Sequence, residues 1–409
     1  MRFLHTSDWH IGRSLYEKRT QALHAAFLDW LVGTIRNQSV ETLLVAGDIF
    51  DTATVGNVSQ QTYYDFLTKV RAAGCAHVVI IGGNHDSPSF IDAPAALLSS
   101  MDIHVVGSPS DDVSDEVIAL RDTGGRVAAF VCAVPFLRDR DIRTSAVLES
   151  LDDKNEALSA AIAAHYREVA QAVEQMMPAE GNPPVVAMGH LFVSGSQQGE
   201  GERDLYVGSL AQVPASVFPP LFDYVALGHL HRGQQVGSCP CIRYSGAPLP
   251  MGFDDGSLHP HVLVVDIPKA RSVPTVTPIA VPIFMPMRRI SGTVADIECE
   301  LKARVATGTP LWVEVVHDGQ DIVSDLKQRI DALVDGSTVE VLRMKTNVTT
   351  AYLEAGPSVE LQDLQVDEVF ERCLQAHEIP EAQQEELRLL YRIAAQRVFE
   401  GDSAAEGDF

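Results

Sequence analysis

Thr42-Leu43-Leu44-Val45-Ala46-Gly47-Asp48 is a short apolar run that stops at a glycine and a carboxylate. Such a run, bounded by turn formers, reads as a buried strand, and the glycine allows close backbone approach where the carboxylate begins. The construction recurs along the chain. Phe3–Leu4 precedes Asp8-Trp9-His10, Val78–Ile81 precedes Gly83-Asn84-His85-Asp86, Val185–Met188 precedes Gly189-His190, and Tyr224–Leu227 precedes Gly228-His229-Leu230-His231. A sixth run, His261–Ile267, carries no motif. Between the first three strands the apolar residues take helical spacing, at Phe27, Leu28, Leu31, Val32 and Ile35, then at Tyr64, Leu67 and Val70 with Gly74 as a stop. Alternating strand and helix predicts an α/β fold. Loops at the carboxyl ends of strands gather on one rim in such layers, so five motifs distant in sequence are expected to meet.

Their chemistry gives the meeting a purpose. Carboxylate oxygen, amide oxygen and imidazole nitrogen are ligands that divalent cations such as Mn²⁺ accept, whereas a structural zinc site leans on thiolates. Two cations about 3.5–4 Å apart polarise a phosphate, generate hydroxide near neutral pH and neutralise charge on the attacking and leaving oxygens. One carboxylate has to bridge them, and Asp48 is central in the series. Asp8, His10 and one histidine of the last motif would complete one metal site; Asn84, His190 and the other of His229 and His231 would complete the second. His85 is surplus to that count and has a pKa suited to protonating a leaving oxygen. Singly, an Asp-x-His pair is most often a turn or helix cap and a core histidine is usually just hydrogen-bonded. The ordered set carries the two-metal reading.

Leu4-His5-Thr6-Ser7-Asp8-Trp9-His10-Ile11-Gly12, Val45-Ala46-Gly47-Asp48-Ile49-Phe50-Asp51-Thr52, Pro135-Phe136-Leu137-Arg138 and Ala226-Leu227-Gly228-His229-Leu230-His231-Arg232 extend well beyond the ligand positions. In these stretches the chain resembles the calcineurin-like metallophosphoesterase superfamily and, within it, the nuclease subunits of bacterial SbcCD complexes. The resemblance implies a β-sandwich flanked by helices, a small α/β cap domain and a C-terminal helical pair. It also implies DNA cleavage with two Mn²⁺ (Mg²⁺ as an alternative), as a 3'-5' exonuclease on double-stranded ends and an endonuclease on single-stranded or hairpin DNA. The implied partner is an SMC-like ATPase of the SbcC type, and the implied assembly a homodimer within a heterotetramer acting in DNA repair and recombination. Archaeal and eukaryotic relatives carry a second histidine where this chain has Asp51. His85 is therefore the one obvious proton donor, and Asp51 and Asp86 either orient and tune it or simply cap a turn.

Composition sets outer bounds. A length of 409 residues with 46% hydrophobic content suggests two or three domains. The longest uncharged apolar stretch, Val127 to Leu137, is too short to span a bilayer, and the N-terminus enters a strand without a signal-peptide pattern. The six scattered cysteines, with only Cys239 and Cys241 close-set, fit reduced thiols and a cytoplasmic location. Charge is the objection to a DNA enzyme: 31 Lys plus Arg against 55 Asp plus Glu give a net of −24. That should repel a phosphate backbone over roughly 8–10 Å. Arg13, Lys18, Arg19, Arg138, Arg140, Arg143 and Arg203, in loops near the motifs, are candidate DNA contacts; as ordinary solvated charges they would contribute nothing.

The expected division is a phosphoesterase domain over 1–282, a cap over 283–350, a helix pair over 358–400 that binds the ATPase, and a disordered tail over 401–409. Strands are expected at Arg288–Val294, Leu311–Val316 and Val339–Met344, and helices at Asp296–Val305 and Ile322–Val334. Gly181–Pro184 and Gly195–Glu202 read as loops. From Ser358 onward two apolar stripes, Val366/Val369/Phe370/Cys373/Leu374 and Leu387/Leu390/Tyr391/Ala394/Val398, lie in a segment with 13 Asp or Glu against 4 Arg, which points to a protein partner and away from DNA. Two other classes are compatible with the same sequence: a phosphatase or cyclic-nucleotide phosphodiesterase on the same site, and an assembly protein with an inactive site.

Overall fold

The computed structural model describes residues 1–142, 151–196, 212–253, 259–318, 325–346 and 388. The chain divides into two compact units, Met1–His317 with Ser324–Lys345, and Asp318–Val323 with Thr346–Phe409. Nearly all described residues belong to the first. The helix pair expected over 358–400 and the tail over 401–409 lie outside the described residues.

Two six-stranded sheets face each other. The first runs, in spatial order, Thr275–Ala280, His261–Asp266, Arg2–Thr6, Thr42–Ala46, His77–Ile81 and Ile103–Val106; the second Gln234–Gln235, Ile242–Tyr244, Tyr224–Gly228, Val185–His190, Val127–Ala133 and Val117–Arg121. Parallel pairing at the centre of each sheet puts the carboxyl ends of the motif-bearing strands on one edge. Phe3, Leu44, Val79 and Ile81 of the first sheet pack on Val131, Val186, Met188 and Tyr224 of the second. The outer faces are also covered, by the helices Gln21–Asn37 and Asn57–Ala72 on the first sheet and Leu151–Met176 on the second. Strands buried on both sides must be apolar throughout, which is why they read as continuous runs and not as alternation.

Several elements differ from the sequence expectation. The second helix buries Tyr63, Phe66, Leu67 and Val70, with Tyr64 half-buried beside them, because a stripe centred on Phe66 aims Tyr63 inward. Val32 is likewise half-buried on the rim of the first helix. The long helix Leu151–Met176 has no counterpart in the sequence expectation; its stripe of Leu158, Ile162, Tyr166, Val169 and Val173 is hidden among alanines that occupy both faces.

After residue 282 comes a three-stranded sheet, Met287–Gly292, Leu311–His317 and Val339–Thr346, with the helices Val294–Thr307 and Leu326–Val334. Its first strand ends at Gly292, and Val294 already opens a helix. Thr293 and Asp296 form a reciprocal capping box there, worth about 1 kcal/mol, that starts the helix two residues before the expected Asp296. Residues 322–324 of the second expected helix lie outside the described residues. Leu15, Phe253 and Trp312 bury one another and pack against Tyr16, Met285, Met287 and Leu342, fastening the short hairpin of Ser14–Leu15 and Lys18–Arg19 to this sheet.

Candidate metal centre

The loops after the first two motif strands run side by side. Asp8 N donates to Gly47 O (3.0 Å), His10 N to Asp48 O (3.0 Å) and Ile11 N to Ile49 O (2.8 Å), prolonging the parallel pairing beyond the strands. Trp9 is fully buried in the helix layer against Phe27 and Phe66, with Nε1 donating to Thr6 Oγ1. Its flanking residues carry a conformational cost. Asp8 (φ 54°), His10 (49°), Asp48 (50°) and His229 (100°) all adopt left-handed backbone. Each such residue costs of order 1–3 kcal/mol and persists only where the surroundings over-determine it, a pattern concentrated at functional sites.

These strained loops bring the polar side chains together. Asp48 Oδ2 lies 3.6 Å from His10 Nε2 and 3.4 Å from His190 Nε2, while Oδ1 accepts the backbone N–H of His85 at 2.9 Å. One carboxylate oxygen thus faces imidazoles from both sides of the cluster. Asp8, His10 and His231 converge on one point, and Asp8, Asp48 and His190 on another. The two rings of His10 and His231 meet Nε2 to Nε2 at 3.2 Å. His229 packs its ring on His190, with centroids 5.5 Å apart, and its backbone N–H donates to Asp8 Oδ1 at 2.9 Å. A side chain at Gly83 would collide with the Asp48 carboxylate, and one at Gly228 with Ala46 O, so both glycines are required by the closeness of the loops.

The donor set fits a cation. His190 Nδ1 faces Ala46 O at 2.9 Å and must donate to it, which leaves Nε2 for the site. Nε2 lies 2.9 Å from Asn84 Oδ1 and 3.4 Å from Asp48 Oδ2, two oxygens that call for a positive charge at this nitrogen. Burial would lower the His190 pKa, but Asp48 and Asp8 override it and hold the group up at about 9; burial would raise Asp48, but His190, His10 and His85 hold it well below the usual carboxylate range. A divalent cation would take the place of the Nε2 proton among the same oxygens. Burial, with His190 next, pushes His229 down to about 3, and burial also depresses His231, so both keep neutral nitrogens able to ligate. Asp8 is pushed up to about 6, chiefly by burial and then by Asp48. Crowded acids and neutral imidazoles together suit divalent cations. Asp8, His10, Asp48 and His231 could hold one, and Asp48, Asn84, His190 and His229 a second.

His85 stands beside these groups with its ring edge-on to His10, centroids 4.8 Å apart, and its Nδ1 2.8 Å from Asp51 O. A third ligand-type grouping, His10, Asp51 and His85, shares His10 with the first. The Asp51 carboxylate approaches His10 Nδ1 (3.4 Å) and Arg13 (3.2 Å), so it meets His85 through its backbone carbonyl. Asp86 has a different task. Its carboxylate accepts the backbone N–H groups of Ile49 (3.1 Å), Phe50 (2.9 Å) and Gly83 (2.9 Å), which ties the second and third motif loops together. Burial pushes its pKa up to about 6 in spite of those bonds.

Three residues of the site escape a reading of the sequence. Ser7 donates to Asp8 Oδ2 and pairs with Ser245 Oγ at 2.8 Å, both serines being buried. His5 spans the sandwich, with Nδ1 3.0 Å from Tyr224 Oη and Nε2 3.1 Å from Leu227 O. Ser7 and His5 flank the first motif, which is a signal for both; Ser245 carries no local sign.

The described basic candidates are held in different ways. Arg13 is held by Asp51 and by Met251 O (3.3 Å), Lys18 pairs with Glu340 of the three-stranded sheet, and Arg19 is exposed. Arg138 is half-buried and reaches towards Asp86 O at 3.5 Å. Arg140 belongs to the short helix Asp139–Ile142, and Arg143 and Arg203 lie outside the described residues. Cys75, Cys132, Cys239, Cys241 and Cys299 are free thiols. Among the described residues, no helix is long and apolar enough to cross a membrane.

The chain matches two family models, calcineurin-like phosphoesterase over residues 1–233 and, over residues 283–378, the SbcD C-terminal model described as Type 5 capsule protein repressor C-terminal domain. It is 35% identical over 398 residues to the D subunit of nuclease SbcCD from Escherichia coli strain K12, spanning 96% of this chain and 97% of that one. The proteins of the same name from Rhodobacter capsulatus and Bacillus subtilis strain 168 are 38% and 32% identical over 268 and 269 residues, which cover 63% and 65% of this chain and 65% and 66% of theirs.

Proposed function

The chain belongs to the calcineurin-like phosphoesterases, among the relatives of the SbcD nuclease, as a phosphodiester hydrolase dependent on divalent metal, and from that premise we propose that it is a two-metal DNA nuclease. The observation that carries the reading is Asp48 Oδ2 set between His10 Nε2 and His190 Nε2, the arrangement expected of a bridging carboxylate. Asp8, His10, Asp48 and His231 would hold one cation and Asp48, Asn84, His190 and His229 the other. The mixed oxygen and nitrogen donors favour Mn²⁺. When bound, the two cations supply charge neutralisation at the phosphoryl oxygens and a lowered pKa for water.

The remaining steps belong to the protein. His85 is oriented by its Nδ1–H donating to Asp51 O, which leaves Nε2 to carry a proton for the departing sugar oxygen. Asp86 holds Asp48 and His85 in register by fixing both loops, and Ser7 with Ser245 aims the Asp8 carboxylate. Substrates are duplex ends, cut 3'-5', and single-stranded or hairpin DNA, cut internally. The partner is an SMC-like ATPase docking on residues 358–400, in an assembly built around a homodimer of this chain, with the sheet and helices after residue 282 as a cap that embraces DNA. The testing experiment compares hydrolysis of a bis-aryl phosphate with cleavage of duplex and hairpin DNA in Mn²⁺, with and without the ATPase. DNA cleavage stimulated by the ATPase supports the proposal. Aryl ester hydrolysis with DNA left intact under both conditions would make the chain a small-substrate phosphodiesterase.

A further inference from the structure

At one side of the sandwich, residues Gln234, Arg243 and Tyr244 of the second sheet and Leu263, Val276 and Pro278 of the first line a common hollow. There the second sheet ends in Gln234–Gln235 and Ile242–Tyr244 and the first in His261–Asp266 and Thr275–Ala280. This hollow and a second beside it, of about 430 and 170 Å³, share Gly233, His259 and His261 as lining. A continuous groove results. Its near end is bounded by His231, on the Asp8, His10 and His231 side of the metal centre, and its far end by Arg243, Leu263 and Pro278. The floor is set by close packing: Ala247 N donates to His231 O at 2.9 Å, and a side chain at Gly233 would run into the His261 ring.

The lining is out of character with the rest of the molecule. In a chain with 55 acidic residues and a net charge of −24, no Asp or Glu among the described residues lines either hollow, while Arg232, Arg243, His259 and His261 all do. Apolar walls interleaved with arginine and imidazole suit a polynucleotide, whose bases and sugars take the apolar and ring surfaces and whose phosphates take the cations. An acidic protein needs such a local path if a phosphate backbone is to reach its centre at all.

We propose that this groove seats the single strand flanking the scissile phosphate, running from His231 past His259 and His261 to Arg243. The inference rests on the nuclease reading and names the path of its substrate. Arg243 is fixed by Nε donating to Pro240 O at 3.0 Å, and His259 is exposed, so Arg243→Ala and His259→Ala can be made without opening the core.

The test uses the full chain in Mn²⁺ with a short single-stranded oligonucleotide and, separately, bis(4-nitrophenyl) phosphate, which is too small to span the groove. Each variant is expected to raise KM for the oligonucleotide about tenfold, as for loss of a charge-assisted contact or a stacked base. Arg243→Ala is also expected to flatten the dependence of log KM on log salt by about 0.7, the increment for one single-strand phosphate contact. Hydrolysis of the aryl ester should stay at the wild-type rate. Wild-type KM and salt slope in both variants, with the oligonucleotide still cut, overturn the groove and leave the nuclease reading standing. Equal losses on both substrates overturn it too, since the residues would then be acting on the metal centre. A wild-type chain that hydrolyses the ester but neither binds nor cuts the oligonucleotide removes the nuclease reading and the groove together.

Discussion

Asp86→Asn isolates the contribution of one buried carboxylate that touches no reacting atom. Asp86 is 2% exposed, and its Oδ2 serves Ile49 N and Gly83 N while Oδ1 serves Phe50 N. The less costly placement of the amide keeps oxygen at Oδ2 and sets an NH2 against the Phe50 N–H. One charge-assisted bond, worth about 1.5–3 kcal/mol, is lost, and a buried donor is left unsatisfied at about 1–3 kcal/mol. Removing the charge returns part of this, since burial opposes the ion strongly enough to bring its pKa to about 6. The net is about 3 kcal/mol. For a cooperative unit of roughly 340 residues, with an unfolding entropy of about 2.1 cal/mol/K per residue, the melting temperature should fall by about 4 °C. The assay is calorimetric melting of the metal-free protein at pH 8, where Asp86 is ionised, followed by Mn²⁺ titration, in which affinity should weaken about 10- to 100-fold as Asp48 and Asn84 drift apart. Asp86→Ala, which orphans all three N–H groups, must be worse than Asp86→Asn. A shift below about 1 °C with unchanged Mn²⁺ affinity would refute the claim that this carboxylate holds the two loops together.

Asp48→Asn should abolish metal-dependent cleavage while unfolding stays cooperative; wild-type turnover at ordinary Mn²⁺ concentration would remove Asp48 from the bridging role. His85→Gln should lose about 10²- to 10⁴-fold in turnover and still bind two metals, whereas a calorimetric stoichiometry of one would make His85 a ligand. Burial, and His261 at longer range, pushes the His5 pKa down to about 3, so the neutral ring stabilises the fold above its unfolded pKa of about 6.5 and that contribution is lost as pH falls towards 3. About 2 kcal/mol should be gone by pH 5, and His5→Leu, though less stable at pH 8, should lose that much less between pH 8 and 5; identical pH slopes for the two proteins would contradict this. Truncation before Ser358 should leave cleavage of single-stranded DNA intact and abolish co-purification with the ATPase; retained co-purification would place the partner surface elsewhere.

The candidate donors were legible in the sequence because each strand end carries its own chemistry. Asp8-x-His10, Asp48, Asn84-His85, His190 and His229-x-His231 are local combinations, and an apolar run ending in glycine and a polar residue can be recognised without knowing its neighbours. The doubly buried strands were legible for the same reason, since continuous apolar runs survive reading one at a time. Pairings between distant segments were not. Nothing in Gly228-His229-Leu230-His231 says that His231 meets His10 while His229 packs on His190, because that depends on the left-handed turn at His229 and on which sheet edge faces which loop. Asp86 could be read as tuning His85 or capping a turn, and only the meeting of two loops gave it three backbone donors. The charge count pointed away from a polyanion, yet a sum over 409 residues has no position, and the hollows between the sheet edges bring Arg243, His259 and His261, from segments that carry no motif, beside Arg232 at the end of the last motif. Local composition fixes which groups are available, and long-range packing fixes which of them share a dielectric, a distance and a ligand.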